Sequence, residues 1–163
     1  MAKKVATTNM QNDIVDINLS AIRKKRFRID GDDNRILELN TSDLGVLSRI
    51  KEAYPKLQEL NERAIQDWPN SDADHVGEED YEAVVNVLKG IDTEMRQLID
   101  YIFNSNVSEV CAPDGTMYDP IDGQFRFEHI INCLVALYEN NIDLEVKQIS
   151  NRVRKYTDKY TGK

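Results

Sequence analysis

Apolar and polar positions first alternate along this chain and then change period. "KRFRID" and "RILELN" flank "GDDN", with Phe27 and Ile29 on one face and Ile36, Leu37 and Leu39 as partners. Two such runs around an Asp-Gly dipeptide predict a β-hairpin, because Gly31 tolerates the positive φ that a tight turn needs. Upstream, "DIVDINL" (13–19) offers a less regular third strand.

From residue 41 the apolar spacing lengthens to three and four. Thr41 or Ser42 offers an N-cap, and Leu44, Leu47, Ile50, Tyr54, Leu57, Leu60 and Ala64 form the stripe of an amphipathic helix. Pro55 interrupts this stripe and predicts a kink or a break, since proline donates no backbone bond. A second helix is expected over about 78–104, through Val84, Leu88, Ile91, Met95, Ile99 and Phe103, with Gly90 weakening it without breaking it. "FRFEHIINCLVALYEN" predicts a third, ended by Asn140-Asn141. Asp143 then caps a last helix with Ile142, Val146, Ile149, Val153, Tyr156 and Tyr160 at steps of four, three, four, three and four. That is heptad spacing. The fold class expected is mainly α (α+β): a small N-terminal β-hairpin or short sheet, then about four helices, with a long ordered loop before the third.

That loop, within "VCAPDGTMYDPIDGQFRFEH" (110–129), mixes turn residues with Val110, Met117, Tyr118 and Ile121. Pro113-Asp114-Gly115 and Asp119-Pro120 read as successive turns, and Asp122-Gly123 ends the segment. The apolar residues argue for an ordered, Ω-like connector pinned to the body.

At 163 residues the chain suits a single domain over 1–163. Residues 1–12 read as a flexible N-terminus without a secretory signal, and 67–78 as an acidic linker between helices. The net charge is -8, and "DWPNSDADHVGEEDYE" (67–82) holds seven carboxylates and no Lys or Arg. Such a balance disfavours general nucleic-acid binding, which rests on accumulated positive charge. The basic "RKKRFR" (23–28) reads as an edge strand whose charges discourage sheet-to-sheet association. No apolar run reaches the roughly 20 residues that span a bilayer, so no membrane contact is expected.

Candidate chemistry is sparse. Asp30, Asp32 and Asn34 open like a calcium loop, but Arg35 stands where the turn glycine belongs and Thr41 where the bidentate glutamate should be. Cys111, His129 and Cys133 supply three zinc-type ligands without a completing pair. Cys111 with His129 lacks any local signature of a nucleophile–base pair. Two free thiols account for the cysteines, Cys133 packing as a small hydrophobe in its helix. The residues therefore point to no catalytic, metal or cofactor site, and to no enzyme. The last helix, with basic flanks at Lys147, Arg152, Arg154, Lys155 and Lys159, is the candidate partner-binding element.

Two blocks carry a resemblance: "FRIDGDDNRILELNTSDLGVLSRIKEAYPKLQEL" (27–60) and "EMRQLIDYIFNSNVSEVCAPDGTMYDPIDGQFRFEHIINCLVALYE" (94–139). Together they resemble the tail assembly chaperones of long-tailed phages of Gram-positive hosts. The resemblance implies a non-enzymatic, largely helical protein of the host cytoplasm that binds the tape measure protein and keeps it soluble for tail tube assembly. Other tail proteins and a homo-oligomer fit the same implication. The alternative is a structural tail or neck subunit of the virion. The heptad spacing of the last helix makes Ile142, Val146, Ile149, Val153, Tyr156 and Tyr160 the candidate partner-binding residues.

Overall fold

A computed structural model describes residue 17 and residues 24–67 and 78–161. Strands β1 (Lys25–Ile29) and β2 (Asp32–Leu39) pair antiparallel, with Phe27 opposite Leu37 and Lys25 opposite Leu39. Asp30 and Gly31 turn the chain with φ of 52° and 73°. Two successive left-handed residues match the twist of the strands they join. Ile29 pairs with Asp32 while Arg28 pairs with Ile36, so the register shifts between them. Leu37 and Leu39 are fully buried, and Phe27 and Ile29 pack against the same core. The third strand expected over 13–19 lies outside the described residues, apart from an exposed Ile17 that belongs to no strand.

Helix α1 (Gly45–Asp67) runs through Pro55 without the break that was one of the two outcomes expected there. Pro55 is exposed, so water can serve the carbonyl that its missing N–H leaves free. The buried face also differs from the expected stripe. Val46, Ala53, Leu57, Leu60 and Ala64 are buried, whereas Leu44 and Leu47 are exposed. Asp43 shifts the frame: its carbonyl receives the Val46 N–H and its Oδ1 the Gly45 N–H. The helix therefore starts after Leu44, not at Thr41 or Ser42.

Helix α2 (Glu78–Phe103) lies antiparallel to α1, with Tyr101 donating to Glu52 near one end of the pair. It carries Gly90 without interruption and buries Leu88, Ile91, Met95, Ile99, Ile102 and Phe103. Asn104 ends it at φ 49°, with the Ser105 N–H returning to the Asp100 carbonyl and the Asn104 N–H to Tyr101. This is the double closure of a Schellman end. A short helix α3 (Val107–Cys111) and a two-residue hairpin, β3 (Pro120–Ile121) with β4 (Gln124–Phe125), occupy what was expected as loop.

Helix α4 (Arg126–Thr161) replaces the two helices expected over this region. Neither Asn140-Asn141 ends a helix nor Asp143 begins one. Asn141 is buried, and its Nδ2 donates to the Thr41 carbonyl and the Ser42 Oγ, both at 3.2 Å. With those partners its amide does not compete for local backbone, so the helix continues. At the other end, Glu128 Oε2 accepts the Phe125 N–H at 3.1 Å, a glutamate closing the first turn as in a capping box. The chain is thus mainly α with a small N-terminal sheet. One cluster of buried side chains joins the first hairpin, α1, α2, the connector and the inner half of α4.

Candidate functional site

Two regions hold the residues singled out by sequence, and they differ in what their side chains face. The first is the connector between α2 and α4. Three polar side chains of α2, at successive four-residue steps on one face, hold it down. Arg96 Nε pairs with Asp92 at 2.7 Å, while its remaining nitrogens donate to the carbonyls of Ser108, Ala112 and Gly115 at 3.1, 3.0 and 2.7 Å. The second Asp92 oxygen accepts the Met117 N–H at 2.7 Å. Asp100 accepts both the N–H and the hydroxyl of Ser108, serving the start of α3. Arg35 of β2 grips the other end of α3, donating to the Val110 and Cys111 carbonyls at 2.9 Å each.

Within the connector, Gly115 sits at φ +80° with its α-carbon close to Asp119 and Arg126; an added Cβ would stand 2.3 Å from Asp119 Oδ2. Asp119 takes the Thr116 N–H at 3.0 Å and pairs with Arg126 at 3.2 Å, and Arg126 also reaches the Asp114 carbonyl. Met117 is fully buried beneath these groups. The connector is ordered, as expected, but its polar residues serve its own backbone. Sequence reasoning missed Asp92, Arg96 and Asp100; their signal is a charge pattern of period four on a helix face that is otherwise solvated.

The thiol and histidine do not assemble a reactive pair. Cys111 is partly buried, and desolvation pushes its thiol up to about 11 despite the nearby Arg35 charge. A thiol so held is overwhelmingly protonated at neutral pH and a poor nucleophile. His129 Nε2 lies instead 3.9 Å from the sulfur of Cys133, one turn along α4. Cys133 is exposed, which corrects the expectation that it packs as a small hydrophobe. It falls on the solvent side of α4, between the buried Ile130, Ile131 and Leu134. Among the described residues no three His, Cys, Asp or Glu side chains converge to hold a metal ion. Asp30 receives Arg35 at 2.9 Å, and Asp32 receives the Asn34 N–H, so both act within the hairpin turn. The basic strand meets its own neighbour: Arg26 pairs with Glu38 and Arg28 with Asp33.

The second region is the outer half of α4. Ile142 still packs against the core, but every residue from 143 to 151 is exposed. Leu144, Val146 and Ile149 are 59%, 53% and 50% exposed. Val153, Tyr156 and Tyr160 fall on the same helix, at positions whose side chains lie outside the described set. The acidic linker expected over 67–78 and the flexible terminus expected over 1–12 likewise fall on residues outside it, apart from Asp67 at the end of α1 and Glu78 at the start of α2. Two apolar concavities flank the body. One of about 510 Å³ lies between α1 and α4, beside Leu47, Ile50, Tyr54, Ile131 and Val135. The other, about 300 Å³, lies beside Ala64, Ile65, Tyr118 and Phe125. Asp119, the acid at the second, is already paired with Arg126. No helix among the described residues is long and apolar enough to cross a membrane.

Comparison with protein-family profiles, with curated proteins and with solved structures finds no match.

Proposed function

We propose that this chain is a non-enzymatic chaperone of phage tail assembly, which binds the helical tape measure protein and keeps it soluble until the tail tube forms around it. The observation that carries this reading is the outer half of α4, where Leu144, Val146 and Ile149 stand half or more exposed on a helix that has left the core. It is supported by the resemblance of residues 27–60 and 94–139 to such chaperones. The physical basis is reversible burial. A tape measure segment carries long apolar helical seams, and covering them gains roughly 25 cal/mol per Å² before the entropic cost of association. A heptad-spaced helix suits such a seam because it offers a narrow apolar face flanked by charge.

The test is co-expression of a tape measure fragment with this chain, unaltered or with Val146, Ile149 and Val153 changed to serine. The fragment is expected to be soluble with the first and to precipitate with the second. Equal solubility with a triple variant that keeps its circular dichroism overturns the reading. Mass spectrometry of purified particles separates it from a structural tail or neck subunit: a chaperone is absent from the particle, a subunit is present in stoichiometric amount.

A further inference from the structure

We propose that the outer half of α4 pairs antiparallel with the same segment of a second copy of this chain. The starting point is a helix whose residues from 143 to 151 are all exposed, among the described residues. α4 continues to Thr161, so about 20 residues, roughly 30 Å at the α-helical rise, extend beyond Asn141, the last buried position among the described residues. Helices of that length are marginal in water unless an amphipathic face is packed. This segment is not rich in strong helix formers either, with Val146, Ile149, Ser150, Asn151, Val153 and Thr157 along it. Its continuity therefore calls for a covering surface.

The spacing restricts the shape of that surface. Assigning Ile142 to heptad position d puts Val146, Val153 and Tyr160 at a, and Ile149 and Tyr156 at d. A strict a/d stripe is the narrow seam of a coiled coil, not the broad face of a helix lying on a globular body.

Charge selects the partner and its direction. Asp143 and Glu145 stand at the inner end of the segment with Lys147 as the one base there; Arg152, Arg154, Lys155 and Lys159 stand at the outer end with Asp158 as the one acid. Two copies side by side in parallel would set acid beside acid and base beside base. Turned antiparallel, each acidic end meets a basic end. Matching a to d in that direction sets Ile142 against Tyr160, Val146 against Tyr156 and Ile149 against Val153, so each tyrosine meets a β-branched residue. Glu145 and Lys159 then share flanking g positions, and symmetry makes this contact twice. Arg152 meets its own copy across the axis, the one unfavourable contact of the register.

This pairing uses the same seam as the chaperone reading, so client and second copy compete for it, and it is measured on the purified full chain alone, without a client. Sedimentation over a range of concentrations is expected to show a monomer–dimer equilibrium. Glu145→Lys turns two attractive contacts into two repulsive ones and is expected to weaken the dimer about tenfold at low salt, given the modest strength of exposed pairs. Adding Lys159→Glu restores it, and Arg152→Gln tightens it. Glu145 is exposed, and circular dichroism checks that each variant stays helical. Direction is read by cross-linking in a Cys133→Ser background. Val146→Cys with Tyr156→Cys is expected to give a disulfide-linked dimer, and Val146→Cys alone to give none. Linking by Val146→Cys alone as efficiently as by the double variant means a parallel pair and overturns the proposal. So does sedimentation as a monomer at every concentration, which reserves the seam for a different protein.

Discussion

The connector between α2 and α4 and the outer half of α4 both combine charge with apolar side chains, but they direct them oppositely. In the connector, the charges of Asp92, Arg96, Asp100 and Arg35 turn inward and satisfy the backbone of a segment with little regular structure. Buried backbone groups must find partners, and the connector's carbonyls find theirs on guanidinium groups. In the outer half of α4 the helix satisfies its own backbone, so side chains from 143 to 151 remain free to face outward. A stretch rich in aspartate and glycine thus spends its polar contacts on its own backbone, while an ordinary-looking helix leaves apolar side chains exposed.

The sharpest way to break this contrast is to remove the connector's anchor. Arg96→Ala removes the side-chain donor from the Ala112 and Gly115 carbonyls, leaves Ser108 with only the Ala112 N–H, and leaves Asp92 with half its partners, so a loss of about 3 kcal/mol is expected in urea unfolding. A loss below about 1 kcal/mol would show that the connector does not depend on this residue. The same strategy recurs on a smaller scale at the start of α1. There Arg49 pairs with Asp43 at 2.6 Å and donates to the Ile102 carbonyl at 2.7 Å. The Arg49 hydrogen bond, partly opposed by desolvation, holds the Asp43 carboxyl below the usual carboxylate range. Its contribution is therefore present above about pH 4 and is lost as the pH falls through the lowered value. Asp43→Asn is expected to cost about 1 kcal/mol at neutral pH, and unfolding curves should converge with the parent in acid. A gap that persists at low pH would point to packing in place of charge.

The inner half of α4 sharpens the comparison from the other side. Tyr138 is 1% exposed, its hydroxyl finds no hydrogen-bond partner among the described residues, and burial raises its pKa to about 12. Tyr138→Phe removes an unsatisfied group from the core, so a change between zero and about 1 kcal/mol in favour of the folded state is expected. A clear destabilisation in thermal unfolding would reveal a partner for the hydroxyl. Smallest of all, Leu144→Ser is expected to shift the stability of the dilute chain by under about 0.5 kcal/mol, as for other solvent-facing positions. A larger shift would mean that this residue packs at home.

What the sequence made legible follows from how local each cause is. The first hairpin was readable because Asp30-Gly31 and the alternation around it act over a few residues. The α2 face was readable because nothing interrupts its period. Pro55 and Asn140-Asn141 misled for one reason: each carries a local rule that the tertiary setting overrides, by solvent at Pro55 and by Thr41 and Ser42 at Asn141. The α1 stripe slipped because Asp43 moves the helix start past Leu44, leaving Leu44 and Leu47 outside. Asp92, Arg96 and Asp100 were invisible as anchors because a charged helix face looks the same whether water or a folded-back segment lies against it. The exposure of Val146 and Ile149 was equally hidden: heptad spacing states that a face is apolar, not whether its own chain covers it.

Asn141 gives the last of these features a mechanical meaning. Lys25 of β1, Thr41 and Ser42 all converge on this one amide, at the point where α4 leaves the core. It works as a fulcrum, with a helical lever of about five turns beyond it. The aim of that lever, and hence the spacing and tilt of anything assembled on it, is set by a side chain that takes no part in the assembly. Asn141→Ala would leave every apolar position of the outer helix in place and still loosen the angle at which it is presented.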